Sequence, residues 1–158
     1  MTDELSDRLL ENSHVARAEF VAAFYPAEGE PDILPALRVL AAEGRLLLPR
    51  TGKACSMEFF KVGSLDELEK GRFGIMEPAG GAEPFTGTIE VFLVPGTAFS
   101  LAGARRGHGM GFYDRFLAKF PAAWKIGVCR ISQISDGIEM RGHDVWMDEV
   151  LPELYIAE

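Results

Sequence analysis

Residues 89–96 read Ile89-Glu90-Val91-Phe92-Leu93-Val94-Pro95-Gly96, and the fold follows from how that stretch is read. Ile89, Val91, Phe92 and Val94 suit a buried, pleated strand, and Pro95-Gly96 ends it. A long loop comes next, then an amphipathic helix from residue 112 to about 120, then a second strand over 124–129. Strand, crossover helix and strand form the unit of a parallel sheet.

The same alternation runs upstream. Residues 3 to about 12 read as a short amphipathic helix and 18–25 as a strand. Ile33, Leu34, Leu37, Leu40 and Ala41 share one helical face, with Gly44 placed as its C-terminal cap. Leu46-Leu47-Leu48 is a short buried strand, and 57–61 is another. Ser64 and Glu67 make a capping box that opens a helix of one to two turns, stopping at Gly71. Residues 78–84 form a Gly/Pro-rich surface loop, and Leu154-Tyr155-Ile156 reads as a last edge strand. The expected class is α/β: one domain over 1–158, in three layers, with a mostly parallel sheet and helices on both faces.

The chain has 158 residues, 47% hydrophobic and 25% charged, the composition of an ordinary globular domain with a full core. A net charge of −8 opposes a broad phosphate-backbone footprint, so nucleic acid is not an expected partner. The acidic start Met1-Thr2-Asp3-Glu4-Leu5 lacks the apolar run of a signal peptide, and no stretch is long enough to span a bilayer. A cytoplasmic protein without membrane partners is expected. Cys55 and Cys129 lack C-x-x-C spacing and read as buried or idle thiols, not as a disulfide.

The candidate site is Arg105-Arg106-Gly107-His108-Gly109-Met110-Gly111-Phe112-Tyr113-Asp114. Alternate glycines let backbone N–H groups turn inward and keep side chains away from an anion, and the helix that follows adds its positive end. Arg105 and Arg106 suit phosphate oxygens, and Asp114 is a hard ligand of the kind Mg²⁺ shares with a nucleotide. Arg105, Arg106, His108, Arg115 and Lys119 form a basic cluster in an acidic chain, the pattern of a small anionic ligand. The motif is neither a P-loop nor G-x-G-x-x-G, and a flexible glycine loop before an ordinary helix stands beside the phosphate-cradle reading. Its place beyond the carboxyl end of a parallel strand, where open α/β sheets bind ligands, favours the cradle.

The segment 92–99, the glycine loop and Gly142-His143-Asp144-Val145-Trp146-Met147-Asp148-Glu149-Val150 together resemble the 5-formyltetrahydrofolate cyclo-ligase family. Phe24-Tyr25-Pro26, Glu30, Leu48-Pro49-Arg50, Met57 and Gly74-Ile75-Met76-Glu77-Pro78 extend the resemblance over roughly residues 20–150. It implies ATP-dependent ring closure of 5-formyltetrahydrofolate to 5,10-methenyltetrahydrofolate, with ADP and phosphate released. The formyl oxygen attacks the γ-phosphoryl group, and N10 then attacks the activated carbon and expels phosphate.

By matching positions, the resemblance implies that Arg105, Gly107, His108, Gly109, Met110, Gly111 and Phe112 hold ATP and that Asp114 and Asp144 hold Mg²⁺. Tyr25, Glu30, Met57, Phe73 and Tyr113 bind the reduced folate, Glu30 at the pterin, with Arg105 and Tyr113 as the catalytic candidates. Read singly, Glu30 is also a helix-entry acid, Asp144 a solvated surface acid and each aromatic a core residue. His143 is expected to support its neighbour and not to bind zinc.

The sequence departs from the family pattern at the start, where a basic helical segment is usual and no lysine precedes Lys53. His108, Met110, Phe112 and Pro152 also replace commoner residues. These departures leave a second expectation open: a relative without turnover that binds a folate, a nucleotide or another phosphorylated metabolite.

Overall fold

The computed structural model describes residues 4–53, 56–71, 73–109 and 111–154. Cys55, Met110, Tyr155 and Ile156 lie outside the described residues.

The molecule is built on a six-stranded sheet: β1 (Val21–Ala22), β2 (Leu46–Thr51), β3 (Met57–Lys61), β6 (Val91–Val94), β9 (Trp124–Arg130) and β10 (Glu149–Glu153). Their spatial order is β10-β9-β6-β1-β2-β3, parallel throughout except for β3, which runs antiparallel to β2 at one edge. The mostly parallel α/β sheet expected from the alternating pattern is therefore observed. Two small hairpins among the described residues pair outside the main sheet: β4 (Leu68–Lys70) with β5 (Met76–Pro78), and β7 (Ala98–Phe99) with β8 (Arg105–Arg106).

Helices cover both faces. On one, α1 (Glu4–Glu11), α2 (Ser13–Arg17) and α3 (Leu34–Ala42) pack Leu5, Leu9, Val15, Leu37 and Leu40 against Val21, Leu46, Leu48 and Leu93. Ser6, buried on α1, accepts a hydrogen bond from Ala36 N–H at 3.1 Å and so satisfies a first-turn donor of α3. Gly44 has φ +73°, the left-handed conformation that ends α3 as its sequence position suggested. On the other face, α4 (Phe112–Leu117) brings Phe116 and Leu117 onto an aromatic core, with Phe92 edge-on to Phe59 at 5.7 Å and to Phe116 at 6.1 Å.

Several elements differ from the sequence reading for identifiable reasons. The strand expected over 18–25 pairs formally only at Val21 and Ala22, because Ala18 caps α2, a helix whose signal was Asn12: its side chain accepts from His14 and Val15 N–H. The Ser64/Glu67 capping box forms, yet the helix is a single 3₁₀ turn (Leu65–Glu67), since Leu68–Lys70 turns to pair with Met76–Pro78. Helix α4 stops at Leu117 instead of near 120, with Pro121 close behind. Among the described residues the last strand is Glu149–Glu153, and most of the edge expected over 154–156 lies outside them. Pro152 is tolerated there because β10 is an edge with one side unpaired.

Cys129 is fully buried in the core, and burial pushes its thiol up to about 12. Among the described residues no helix is long and apolar enough to cross a membrane.

Phe92 is fully buried and touches three other aromatic rings. Phe92→Ala should destabilise the fold by about 3–5 kcal/mol in a urea titration; a loss below about 1 kcal/mol would show that this cluster does not hold α4 to the sheet.

Candidate active site

Strands β1 and β6 are neighbours, and the chain leaves them in opposite directions along the sheet: from β1 through α3 to β2, and from β6 through α4 to β9. Such a reversal opens a crevice at the carboxyl ends of the strands, because no crossover covers it. A cavity of about 660 Å³ lies there. It takes Tyr25 and Glu30 from the segment after β1, Met57 from β3 and Phe73 from the turn between β4 and β5. Residues from Arg105 to Asp114 follow β6, and His143 and Asp144 precede β10. Every described residue expected at the site lines this one cavity, and Met110 alone falls outside the described residues.

Arg105 forms the floor of the anionic end. Only 9% exposed, it donates from Nε to the carbonyl of Pro95 at 2.7 Å, and its guanidinium carbon lies 5.2 Å from the Tyr113 ring centroid. A Cβ at Gly107 would stand 3.0 Å from the Arg105 guanidinium, so glycine is what lets the loop close on that side chain. Gly111 caps α4 with φ +73° and so turns the loop into the helix. Thr97 pins the loop from the other side, donating from N–H and from Oγ1 to the carbonyl of Arg106 at 2.8 and 3.1 Å.

Burial lowers the pKa of Arg105, opposed chiefly by Asp114 and then by Tyr113, Glu30 and Asp144; a guanidinium nonetheless keeps its charge. Among the described residues no carboxylate oxygen comes within ion-pair distance of it. A buried cation balanced only at a distance is a receptor for an anion. The basic cluster expected around it is smaller than the sequence suggested. Arg115 and Lys119 are exposed, line no part of the cavity, and Lys119 lies over the Phe116 ring instead.

Asp114 and Asp144 come from segments 30 residues apart in sequence and meet because Asp114 Oδ1 accepts from Val145 N–H at 3.1 Å. Asp144 is held by its own loop, accepting from Arg141 N–H at 2.8 Å, with His143 Nε2 3.8 Å from its other oxygen. Two half-buried carboxylates at the mouth of a phosphate-type cradle are the hard oxygen donors that Mg²⁺ takes when phosphates and waters complete its shell. The residues present therefore fit that ion. Among the described residues no cluster of three His, Cys, Asp or Glu forms, so protein groups alone do not complete a metal cage.

The far end of the cavity is flat and apolar. Met57 is buried, Tyr25 and Tyr113 are half-buried, and Phe73 stands 54% exposed with its ring centroid 6.3 Å from Phe112. Burial pushes the Tyr113 phenol well above its ordinary value, so it stays protonated and can donate. Glu30 accepts from Ala27 N–H at 2.7 Å, and Asp32, not Glu30, supplies the carboxylate at the start of α3 by accepting from Leu34 N–H. Burial raises the Glu30 carboxyl, a shift opposed by the Ala27 bond and by the charges of His108 and Arg105. The sequence reading assigned no role to Pro49, Thr51, Glu77 or Glu139, which also line the wall. Pro49 and Glu77 lie in segments that carry the family resemblance but were read without a role of their own, and Thr51 and Glu139 carry no motif that would single them out.

The fold and this cavity place the chain among α/β proteins that bind ligands at the switch point of a parallel sheet. The chain belongs to the 5-formyltetrahydrofolate cyclo-ligase family, whose sequence profile matches residues 1–153, and is thus a ligase. The probable 5-formyltetrahydrofolate cyclo-ligase of Caenorhabditis elegans is 28% identical, with 96% of this chain and 81% of that protein covered. The 5-formyltetrahydrofolate cyclo-ligase of Mycolicibacterium smegmatis is 36% identical, covering 83% of this chain and 72% of the relative. The NMR structure of Aquifex aeolicus 5,10-methenyltetrahydrofolate synthetase matches with TM-score 0.81 at 30% identity, over 96% of this chain and 77% of that one.

The raised Glu30 carboxyl has a consequence for stability. The folded state holds its proton more firmly than the unfolded chain, so its charge at neutral pH weakens the fold. That penalty is absent below the ordinary value of 4.5 and grows as pH rises towards the folded value. Glu30→Gln should therefore raise Tm at about pH 7 and lose the gain at about pH 4. A lower Tm at neutral pH would show that the carboxylate is stabilising where it sits.

Proposed function

We propose that this chain couples ATP hydrolysis to the cyclisation of 5-formyltetrahydrofolate, giving 5,10-methenyltetrahydrofolate, ADP and phosphate, with Mg²⁺ as cofactor. The observation that carries this reading is Arg105: a buried guanidinium with no ion-pair partner among the described residues, in a cavity that also holds an aromatic wall and two carboxylates. Phosphate is the anion whose geometry matches that fork, and the family's folate substrate matches the wall.

The chemical need for ATP is simple. A formamide oxygen does not leave in water, so N10 cannot close the ring until that oxygen is phosphorylated. The formyl oxygen attacks the γ-phosphorus and the bond to ADP breaks. N10 then adds to the formyl carbon, its proton is lost, and the C–O bond to phosphate breaks. Arg105 and the loop N–H groups from Gly107 to Phe112 stabilise charge on the phosphoryl group through these steps, and His108 lies on the same wall. Glu30 orients the pterin edge, and Tyr25, Met57, Phe73 and Tyr113 pack its ring, which brings the two reactants into contact distance and excludes water. Mg²⁺, held by Asp114 and Asp144, would neutralise the phosphate oxygens.

Purified protein with 5-formyltetrahydrofolate, ATP and Mg²⁺ should develop the near-ultraviolet absorbance of methenyltetrahydrofolate, and should not without ATP. Folded protein that binds both ligands and forms no product would replace this function with binding alone. Asp144→Asn should weaken Mg²⁺-dependent ATP binding by about 10- to 100-fold in calorimetry while leaving the fold intact, and unchanged affinity would remove Asp144 from the site. Arg105→Met should lower kcat/KM by about 100-fold or more, the scale for losing a charge-stabilising donor.

A further inference from the structure

We propose that an Arg50–Glu77 clasp, made by residues outside the Arg105–Asp114 loop, holds the β4–β5 hairpin over the cavity and thereby sets affinity for the reduced folate. The inference deepens one half of the site and rests on the function proposed above. The hairpin needs such an anchor. Strands β4 and β5 pair as strands with each other, in a two-stranded sheet separate from the main one, and an isolated hairpin is marginal in water. Leu68 secures its base in the core. Its turn carries Phe73 and Ile75, 54% and 37% exposed, which form part of the cavity wall.

Arg50, near the end of β2, reaches that hairpin twice. Its Nε lies 3.8 Å from Glu77 Oε1, and its Nη1 approaches the carbonyl of Pro78 at 3.4 Å, both on β5. The Glu77 side chain is only 12% exposed and lines the cavity. Its carboxylate also rests against Gly71 on the opposite arm, where an added Cβ would run into it. Gly71 begins the turn: its N–H donates to the Ile75 carbonyl at 2.8 Å, and Gly74 N–H donates back to Gly71 at 3.2 Å. One carboxylate thus links β2, β5 and the start of the turn that presents Phe73 to Phe112. A buried carboxylate needs a cation partner, and among the described residues Arg50 is the one that pairs with it. Arg50 itself does not line the cavity, so it acts by positioning the hairpin and not by touching the ligand.

The test is steady-state kinetics on the full chain, with separate KM values for 5-formyltetrahydrofolate and ATP, for Arg50→Met, Glu77→Gln and the double variant. Amide exchange at Gly71 and Gly74 is followed in each. Either single change should raise the folate KM by about 5- to 10-fold and the ATP KM by less than about twofold, and the double should go no further than the larger single, because both remove one interaction. Exchange at both glycines should quicken. Arg50→Lys, which keeps the charge, should return the folate KM to within about threefold of the parent, and Glu77→Gln carries the test if Arg50→Met does not fold. Single effects that multiply in the double variant, equal rises in both KM values, or unchanged exchange in Arg50→Met or Glu77→Gln would overturn the clasp. If the parent protein forms no product, the proposed function fails, and exchange in the ligand-free chain still decides whether the clasp exists.

Discussion

Parallel pairing of Val21 and Ala22 with strands on both sides is the constraint from which the rest of the molecule follows. Two residues of β1 register with Leu46 and Leu47 on one flank and with Val91 and Phe92 on the other. Bonds from Val21 and Ala23 N–H to the carbonyls of Arg45 and Leu47 carry the ladder slightly beyond the strand. Parallel neighbours demand crossovers, and the two crossovers from this centre go opposite ways. The crevice left between them is the cavity, and the segments that emerge into it, after β1 and after β6, carry Glu30 and Arg105. The location of the site is thus a consequence of chain direction.

Electrostatics inside the crevice are held in tension. Arg105 is buried among Asp114, Tyr113, Glu30 and Asp144, all close enough to favour its charge, yet it closes no ion pair among the described residues. Burial at the same time disfavours the charged form of Glu30. A site relaxed for its own sake would pair these groups directly. Keeping them apart leaves room for an anion at one end and a polar ring edge at the other, at a cost in stability of the kind functional sites carry.

The loop before β10 shows how backbone bonds give a surface acid a fixed place. Asp148 accepts from Lys125 N–H at 2.8 Å and donates its own N–H back to the Lys125 carbonyl at 2.8 Å; the buried Lys125 ammonium lies 3.9 Å from the same carboxylate. Met147 N–H bonds to Gly103, and Val145 N–H bonds to Asp114. Three tethers along residues 145–148 leave Asp144 little freedom, and they connect it to β9, to the β7–β8 turn and to α4. Its partnership with Asp114 is decided by these tethers and not by proximity in sequence.

Much was legible from residues alone. The apolar run ended by Pro95-Gly96, the helical face of Ile33, Leu37 and Leu40 and the alternation of elements specified a parallel α/β sheet, because strand and helix periodicities are local properties. Motif chemistry likewise marked Arg105, Asp114 and the alternating glycines. Local signals failed where pairing partners decide the outcome. The capping box at Ser64 and Glu67 forms as read, but Leu68 becomes a strand because Pro78 is there to meet it. Arg115 and Lys119 share the charge of Arg105 and lie outside the cavity because α4 turns them to solvent. Glu77 acquires its setting only when the hairpin folds against β2. The sequence by itself determined the alternation of strands and helices that makes a parallel sheet and which residues carry charge, since both are set by side chains a few positions apart. Only the tertiary structure decided which charges share a low-dielectric crevice, since that depends on burial and distance between segments far apart in the chain.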